Sequence, residues 1–327
     1  MNKSCFKQSK FAAQKDCLSA FLIIYLGRLP AYFEFWAKSC EPNHEKFHWY
    51  VYNDCLENKI EHNKAVTLVP YDFKTLCIDL KTVFNIHIHP ANTRIVCDCR
   101  LMLYPIRKKK DNLEQYDFIG YSDIDVIYGQ IARFMPEQPY TYSMISANDG
   151  WPCGPFTLFN KKYLYDICND KKIKKLLESD HGNAFYSSKE YSDSVSKFKP
   201  MSGNRIKDKI SEKINFTHLD ESDELVQIAK EMAPVFCKAD PLQPTLTKGF
   251  NHRKSIAFWD KGQLFVRDVF GHEKEGAFFH FSRFKNRTRF KVNSEILNSS
   301  QFGIYKYGFL KIKSKITKLK MLLSLLY

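Results

Sequence analysis

The stretch "YDFIGYSDIDVIYG", residues 116–129, decides how the rest of the chain is read. Apolar Phe118 and Ile119 lead toward Asp123 and Asp125, Val126 and Ile127 turn apolar again, and Gly129 closes the segment. Two carboxylates one residue apart cost a strand free energy unless they face water, a metal or a partner. Strand alternation points Asp123 and Asp125 the same way. Like charges on one face call for a cation or solvent. A hard divalent ion such as Mg²⁺ or Mn²⁺ takes such oxygen ligands together with the phosphate oxygens of a substrate. An Asp-x-Asp triplet also arises by chance in exposed loops and helix caps. The apolar flanks set this one apart, as a buried strand emerging at its acidic end.

Upstream, residues 18–26 read as a buried strand, and "GRLPAYFEFWAKSC" turns at Gly27 and Pro30 into a helix with Phe33, Trp36 and Ala37 on its apolar face. Residues 47–55 form a second strand ending in Asn53 and Asp54, and 65–73 a third, broken by Pro70. Residues 76–84 read as a helix, and 93–106 as a helix carrying Arg94, Asp98 and Arg100. Strands alternating with helices imply an α/β domain with a mainly parallel sheet covered on both faces, whose ligands collect at the carboxyl ends of the strands. Asp54, Asp123 and Asp125 fall there. Downstream, 154–168 read as a strand entering a helix and 197–209 as an exposed polar segment. Residues 255–271 read as a hairpin turning at Asp260-Lys261-Gly262, and 276–287 as a strand followed by a basic segment.

At 327 residues with 44% hydrophobic and 15% aromatic residues, the chain can bury a large core, which excludes disorder over most of its length. Ten irregularly spaced cysteines without a Cys-x-x-Cys pair read as reduced thiols, and Cys97-x-Cys99 lacks the second pair a zinc site needs. "CLSAFLIIYLG" (17–27) is too short to span a bilayer and lacks a cleavage site, so it reads as a strand. Of the net charge of +14, ten units lie in the last 47 residues, where eleven Lys and Arg face one acid, Glu295. A nucleic-acid-binding domain spreads its basic footprint over the docking face. Here the charge is a tail, which argues against nucleic acid.

The segment 116–131 resembles the Asp-x-Asp segment of a family of bacterial glycosyltransferases found with capsule and lipopolysaccharide assembly genes. "YLGRLPAYFEFWAKSCEPN" (25–43) is similar to that family's opening strand and helix, and "CDCRLMLYPI" (97–106) to its Cys-Asp-aromatic-Lys-Pro segment. "GPFTLFN" (154–160) and "FFHFSRFKNR" (278–287) are similar to its later motifs, so the likeness runs in order over about residues 18 to 287. Arg100 stands where the family has Lys, and Cys99 where it has an aromatic residue. Arginine keeps the charge and grips phosphate bidentately.

The resemblance implies a GT-A, Rossmann-like nucleotide-diphospho-sugar transferase over residues 1–290. Asp123 and Asp125 would be the metal-side pair, and His280 would complete a site for Mn²⁺ or Mg²⁺. Lys285 would neutralise the leaving diphosphate. Tyr25, Gly27 and Arg28 would line the nucleotide pocket, Asp54 would accept from the base or ribose, and Arg100 would lie along the phosphates. Plain alternatives are a helix-capping Asp54, an exposed ion pair at Arg100, a satisfied core histidine at 280 and a surface lysine at 285. An inverting enzyme also needs a base, for which Asp149, Glu190 and Asp193 are candidates. The order His280…Lys285 is similar to that of retaining members.

Residues 306–327 place apolar side chains at 309, 312, 316, 319, 323 and 326, one face of a helix flanked by lysines. A tail over 291–327 carrying such a helix suits an anionic membrane surface, with a helix packed on the body, an oligomer contact or a nucleic-acid arm as the competing readings. The expectation is a metal-dependent enzyme on the cytoplasmic face of a bacterial membrane. It would move sugar from a nucleotide-diphosphate donor, UDP-sugar first, to a glycan or lipid-linked glycan. The alternatives are an inactive binding protein of the same fold, or a phosphotransferase using the same carboxylates; no Gly-x-x-x-x-Gly-Lys loop is present.

Overall fold

The computed structural model describes residues 17–88, 93–147, 154–178, 223–236, 255–268, 273–285 and 289–312. Its first strand, β1 (Ser19–Ile24), is buried at all six positions. Phe21 and Ile23 enter one core cluster, whereas Ala20, Leu22 and Ile24 enter another on the opposite face. A continuous apolar run buried on both faces is the signature of a central parallel strand.

The chain continues through α1 (Phe33–Cys40), β2 (Phe47–Asn53), β3 (Ile60–Glu61), β4 (Val66–Pro70), α2 (Phe73–Phe84) and α3 (Leu103–Arg107). Asp72 caps α2, its carboxylate accepting the Thr75 N–H at 2.7 Å, and Asn85 ends the helix in the left-handed region at φ 58°. The helix expected over 93–106 is instead two 3₁₀ turns, Thr93–Cys97 and Arg100–Met102, followed by the short α3. Pro105 has no N–H, so it fits the first turn of a new helix but not the interior of a continuous one.

Then come β5 (Phe118–Tyr121), β6 (Val126–Tyr128), β7 (Met144–Ser146), β8 (Thr157–Asn160), α4 (Lys161–Asn169), α5 (Lys171–Glu178), α6 (Asp223–Met232) and β9 (Val235–Phe236). The large sheet has the order β3-β4-β2-β1-β5-β8-β7-β9. Its pairs β1–β2, β1–β5, β2–β4 and β7–β9 are parallel, the rest antiparallel. The fold is mixed α/β with a mainly parallel central sheet. Because β1 is followed by β2 on one side and meets β5 on the other, the strand order reverses at β1. In an open α/β sheet such a reversal opens a crevice at the carboxyl ends of the strands.

The remaining strands are β10 (Ser255–Asp260), β11 (Gln263–Asp268), β12 (Glu273–Glu275) and β13 (Phe278–His280), followed by the single turn α7 (Ser282–Lys285), β14 (Gln301–Tyr305) and β15 (Gly308–Lys311). A second, antiparallel sheet has the order β12-β11-β10-β14-β15. Its first hairpin turns at Lys261 and Gly262, both with positive φ, as a two-residue hairpin requires. Helix α1 lies between this sheet and the large one: Phe35 stacks on Phe309 at 4.2 Å while Trp36 shares the core with Phe21 and Trp49. β13 pairs antiparallel with β6, so that His280 faces Val126.

The expected boundary at residue 290 therefore falls inside the fold. Phe309 belongs to a strand and to the core, not to a helical stripe, because β15 pairs with β14 and Gly308 passes against the backbone of Lys291. The rest of the expected tail helix, from residue 313, lies outside the described residues. Among the described residues no helix is long and apolar enough to cross a membrane. The seven cysteines there are free thiols, with Cys99 buried and Cys97 exposed, so the two do not face a common ligand.

Candidate metal site

Strand β5 stops at Tyr121, so Asp123 and Asp125 sit on the loop to β6 rather than within a strand. Two sets of interactions shape that loop. From below, the buried Ser122 hydroxyl donates to the Pro155 carbonyl at 2.8 Å and lies against the Tyr128 hydroxyl. From across the sheet, the Phe281 N–H donates to the Asp125 carbonyl at 3.0 Å, extending the β6–β13 ladder. That bond places His280 beside the carboxylates from a strand 155 residues further along the chain.

His280 Nε2 lies 3.4 Å from Asp125 Oδ1 and 3.9 Å from Asp123 Oδ2. One donor atom from each of the three residues falls within 4.8 Å of the others. Two carboxylate oxygens and one imidazole nitrogen form a donor set that suits Mn²⁺ or Mg²⁺ and leaves coordination positions for phosphate oxygens and water. The residues present fit such an ion.

The other carboxylate oxygens are held by cations. Arg100 Nη1 donates to Asp123 Oδ1 at 2.9 Å, and Lys285 Nζ reaches Asp125 Oδ2 at 2.7 Å. The Arg100 side chain is only 5% exposed. It also donates to the carbonyls of Cys97 and Ser122 and stacks its guanidinium 4.4 Å from the Tyr121 ring centre. Arg100 therefore orients Asp123 from behind, and neither lies open for phosphates nor forms an exposed ion pair. Burial alone would raise the Asp125 carboxyl, but the hydrogen bond and charge of His280, with Lys285, hold it well below the usual carboxylate range. For His280 burial works downward, and Asp125 and then Asp123 outweigh it, so the imidazole is raised above its ordinary value.

Tyr25, Gly27, Arg28 and Asp54 lie on the neighbouring loops at the carboxyl ends of β1 and β2. Gly27 adopts φ 89°, and its N–H donates to Asp54 Oδ1 at 2.5 Å, so Asp54 is engaged in fixing the β1 loop. The buried Asn53 side chain donates to the carbonyls of Tyr25 and Gly27 and ties the two loops together. Arg28 is exposed and Tyr25 partly so. Tyr32, at the start of α1, joins this group to the carboxylates: burial raises its phenol, and the charges of Asp125, Tyr25 and Asp123 raise it further. Asp149, Glu190 and Asp193 lie outside the described residues. Ser122 and Tyr32 escaped the sequence reading. Ser122 left no trace beyond its place before Asp123, and Tyr32 none beyond its place at a helix start.

Residues 21–313 match a family described as of unknown function, DUF6625. The chain belongs to DUF6625. No curated protein matches this DUF6625 chain. Among solved structures it is similar to the galactosyltransferase LgtC in complex with donor and acceptor sugar analogs, at 12% identity. That likeness covers 65% of the DUF6625 chain and 96% of LgtC with a TM-score of 0.29, too low to carry an argument about activity.

Proposed function

We propose that this DUF6625 protein transfers a sugar from a nucleotide-diphosphate donor, with a divalent metal held by Asp123, Asp125 and His280. The observation that carries the reading is the convergence of these three residues with Lys285 where the strand order of a parallel sheet reverses. A crevice at that place takes nucleotides, and carboxylates, imidazole and ammonium together are what a metal–diphosphate group requires. When bound there, Mn²⁺ or Mg²⁺ would act as a Lewis acid toward charge developing on the diphosphate.

The chain's own residues account for the rest. Lys285 binds the leaving diphosphate and favours the state in which its charge is greatest. Arg100 keeps Asp123 turned toward His280. The loops carrying Tyr25, Gly27, Arg28 and Asp54 receive the nucleotide, and UDP is the first candidate. Asp149, Glu190 and Asp193 remain the candidates for a base if the transfer inverts; a retaining transfer does not call for one. We place the acceptor among glycans and lipid-linked glycans of cell-surface polysaccharide or lipopolysaccharide. That choice rests on the family resemblance and on the lysine-rich end of the chain, which suits the anionic inner face of the cytoplasmic membrane.

Calorimetric titration of UDP with and without Mn²⁺ tests the reading. Binding should require the metal, and Asp125→Asn should weaken it by at least ~10–100-fold, the loss typical even of residues that only support a metal ligand. UDP binding that ignores both metal and mutation would sink the proposal.

A further inference from the structure

Each carboxylate of the site already holds a cation on one oxygen. Asp123 Oδ1 takes Arg100 and Asp125 Oδ2 takes Lys285, while the other two oxygens turn toward His280. With the imidazole neutral, the formal charges of these four groups cancel. A divalent cation therefore meets a neutral cluster, and its attraction to the two aspartates is offset by repulsion from the arginine and lysine.

The two cations are not equivalent. Arg100 is 5% exposed and fixed by two backbone carbonyls and the Tyr121 ring. Lys285 is 31% exposed, stands at the end of the four-residue turn α7, and carries a flexible four-carbon stem. Arg100 is a permanent part of the site, and Lys285 is free to exchange partners.

We propose that Lys285 is an exchangeable counter-ion, paired with Asp125 in the free protein and with phosphate oxygens in the complex. This rests on the metal–diphosphate reading of the site. While Lys285 holds Asp125, metal binding is weak. A diphosphate brings negative charge and draws the ammonium off Asp125, which frees that oxygen's charge for the metal. Metal and nucleoside diphosphate thus bind with positive coupling, and Lys285 carries the coupling. By linkage the factor is the same whichever ligand comes first.

The test follows free Mn²⁺ by electron paramagnetic resonance while the full chain is titrated, with no activity measured. Wild type is compared with Lys285→Gln, Lys285→Met and Lys285→Arg, each checked for folding by circular dichroism. The two neutral variants should bind Mn²⁺ alone more tightly than wild type, by a factor on the order of 10, within the ~5–150-fold span of typical site–site couplings. UDP should raise the Mn²⁺ affinity of wild type and of Lys285→Arg, and raise that of the neutral variants much less. Neutral variants that bind Mn²⁺ alone no more tightly than wild type would overturn the counter-ion role, leaving the metal site standing. If no protein binds Mn²⁺, with or without UDP, the metal reading itself falls and the role of Lys285 with it.

Discussion

Asp125 keeps its charge with a side chain only 5% exposed because His280 and Lys285 hold its two oxygens from opposite sides. A buried carboxylate stripped of such partners is strongly destabilising. Two linkages act on stability in opposite directions of pH. The lowered Asp125 carboxyl contributes stability above its ordinary value of 3.8 and loses it as pH falls toward the depressed value. The raised His280 imidazole contributes stability below its ordinary value of 6.5 and loses it as pH rises through the higher folded value. In chelator, the melting temperature should therefore fall by a few degrees as pH rises from the ordinary imidazole value of 6.5 into the alkaline range and the His280 linkage is lost. Asp125→Asn should flatten that fall, because the carboxamide has no charge with which to raise the imidazole. Thermal melts of both proteins across that range decide the matter, and equal slopes would show that His280 owes its shift to something else. The acidic pair was legible because carboxylates interrupt an apolar run, and His280 because of the family resemblance. The partnership of Arg100 with Asp123 was not, since it depends on a contact across 23 residues and on how the chain folds around Pro105.

The site depends on β13, which is only three residues long and, among the described strands, is hydrogen-bonded to β6 alone. Gly129 permits this. A Cβ there would lie 2.6 Å from the carbonyl oxygen of Gly276, on the segment that leads into β13, and 2.9 Å from Leu264 Cβ on β11. Gly129→Ala should push that segment away and cost about 1–3 kcal/mol, as overpacking does elsewhere. It should also weaken Mn²⁺ binding, because His280 moves with its strand while Asp123 and Asp125 stay with β5. Denaturant unfolding and Mn²⁺ titration of the variant are the measurements. Unchanged metal affinity alongside lost stability would mean that β13 is held from its other side. The pairing of β6 with β13 could not be read from sequence. Each segment shows its apolar character locally, but which strands meet is settled by a hairpin and a second sheet between them. By contrast β1, α1, β2 and the β10–β11 hairpin were legible, since a continuous apolar run, a helical stripe and a Lys-Gly turn are all local signals. The helix expected over 93–106 failed for an equally local reason, since Pro105 fits the first turn of α3 but not the interior of one continuous helix.

For the molecule as a whole, the second sheet is what joins the far end of the chain to the site. Phe302 and Phe309 pack on Phe35 of α1, and Phe309 also meets Phe281, the residue after His280. Read alone, the cationic stretch after residue 281 passes for a tail, because apolar positions such as 309 and 312 fit a helical stripe as well as a strand. The strand that decides between them, β14, pairs with β15 and in turn with β10, about 45 residues earlier. Truncation separates the two readings. A chain ending at 312 keeps every described element, so it should fold with near wild-type stability and bind UDP with Mn²⁺ as the full chain does. If the lysine-rich stripe beyond 312 meets membranes as proposed, this chain should no longer co-sediment with vesicles containing anionic lipid. A chain ending at 290 loses Phe302, Ile304 and Phe309, each buried at 2% exposure or less. At about 1.5–3 kcal/mol per buried side chain, that loss approaches the ~5–15 kcal/mol by which domains are stable at all. Strand β10 would also lose its β14 neighbour, leaving unpaired backbone groups beside exposed aromatic rings. The expected outcome is an aggregated or unfolded product with no cooperative melt, and a well-folded chain ending at 290 would return residues 291–312 to the status of an appendage.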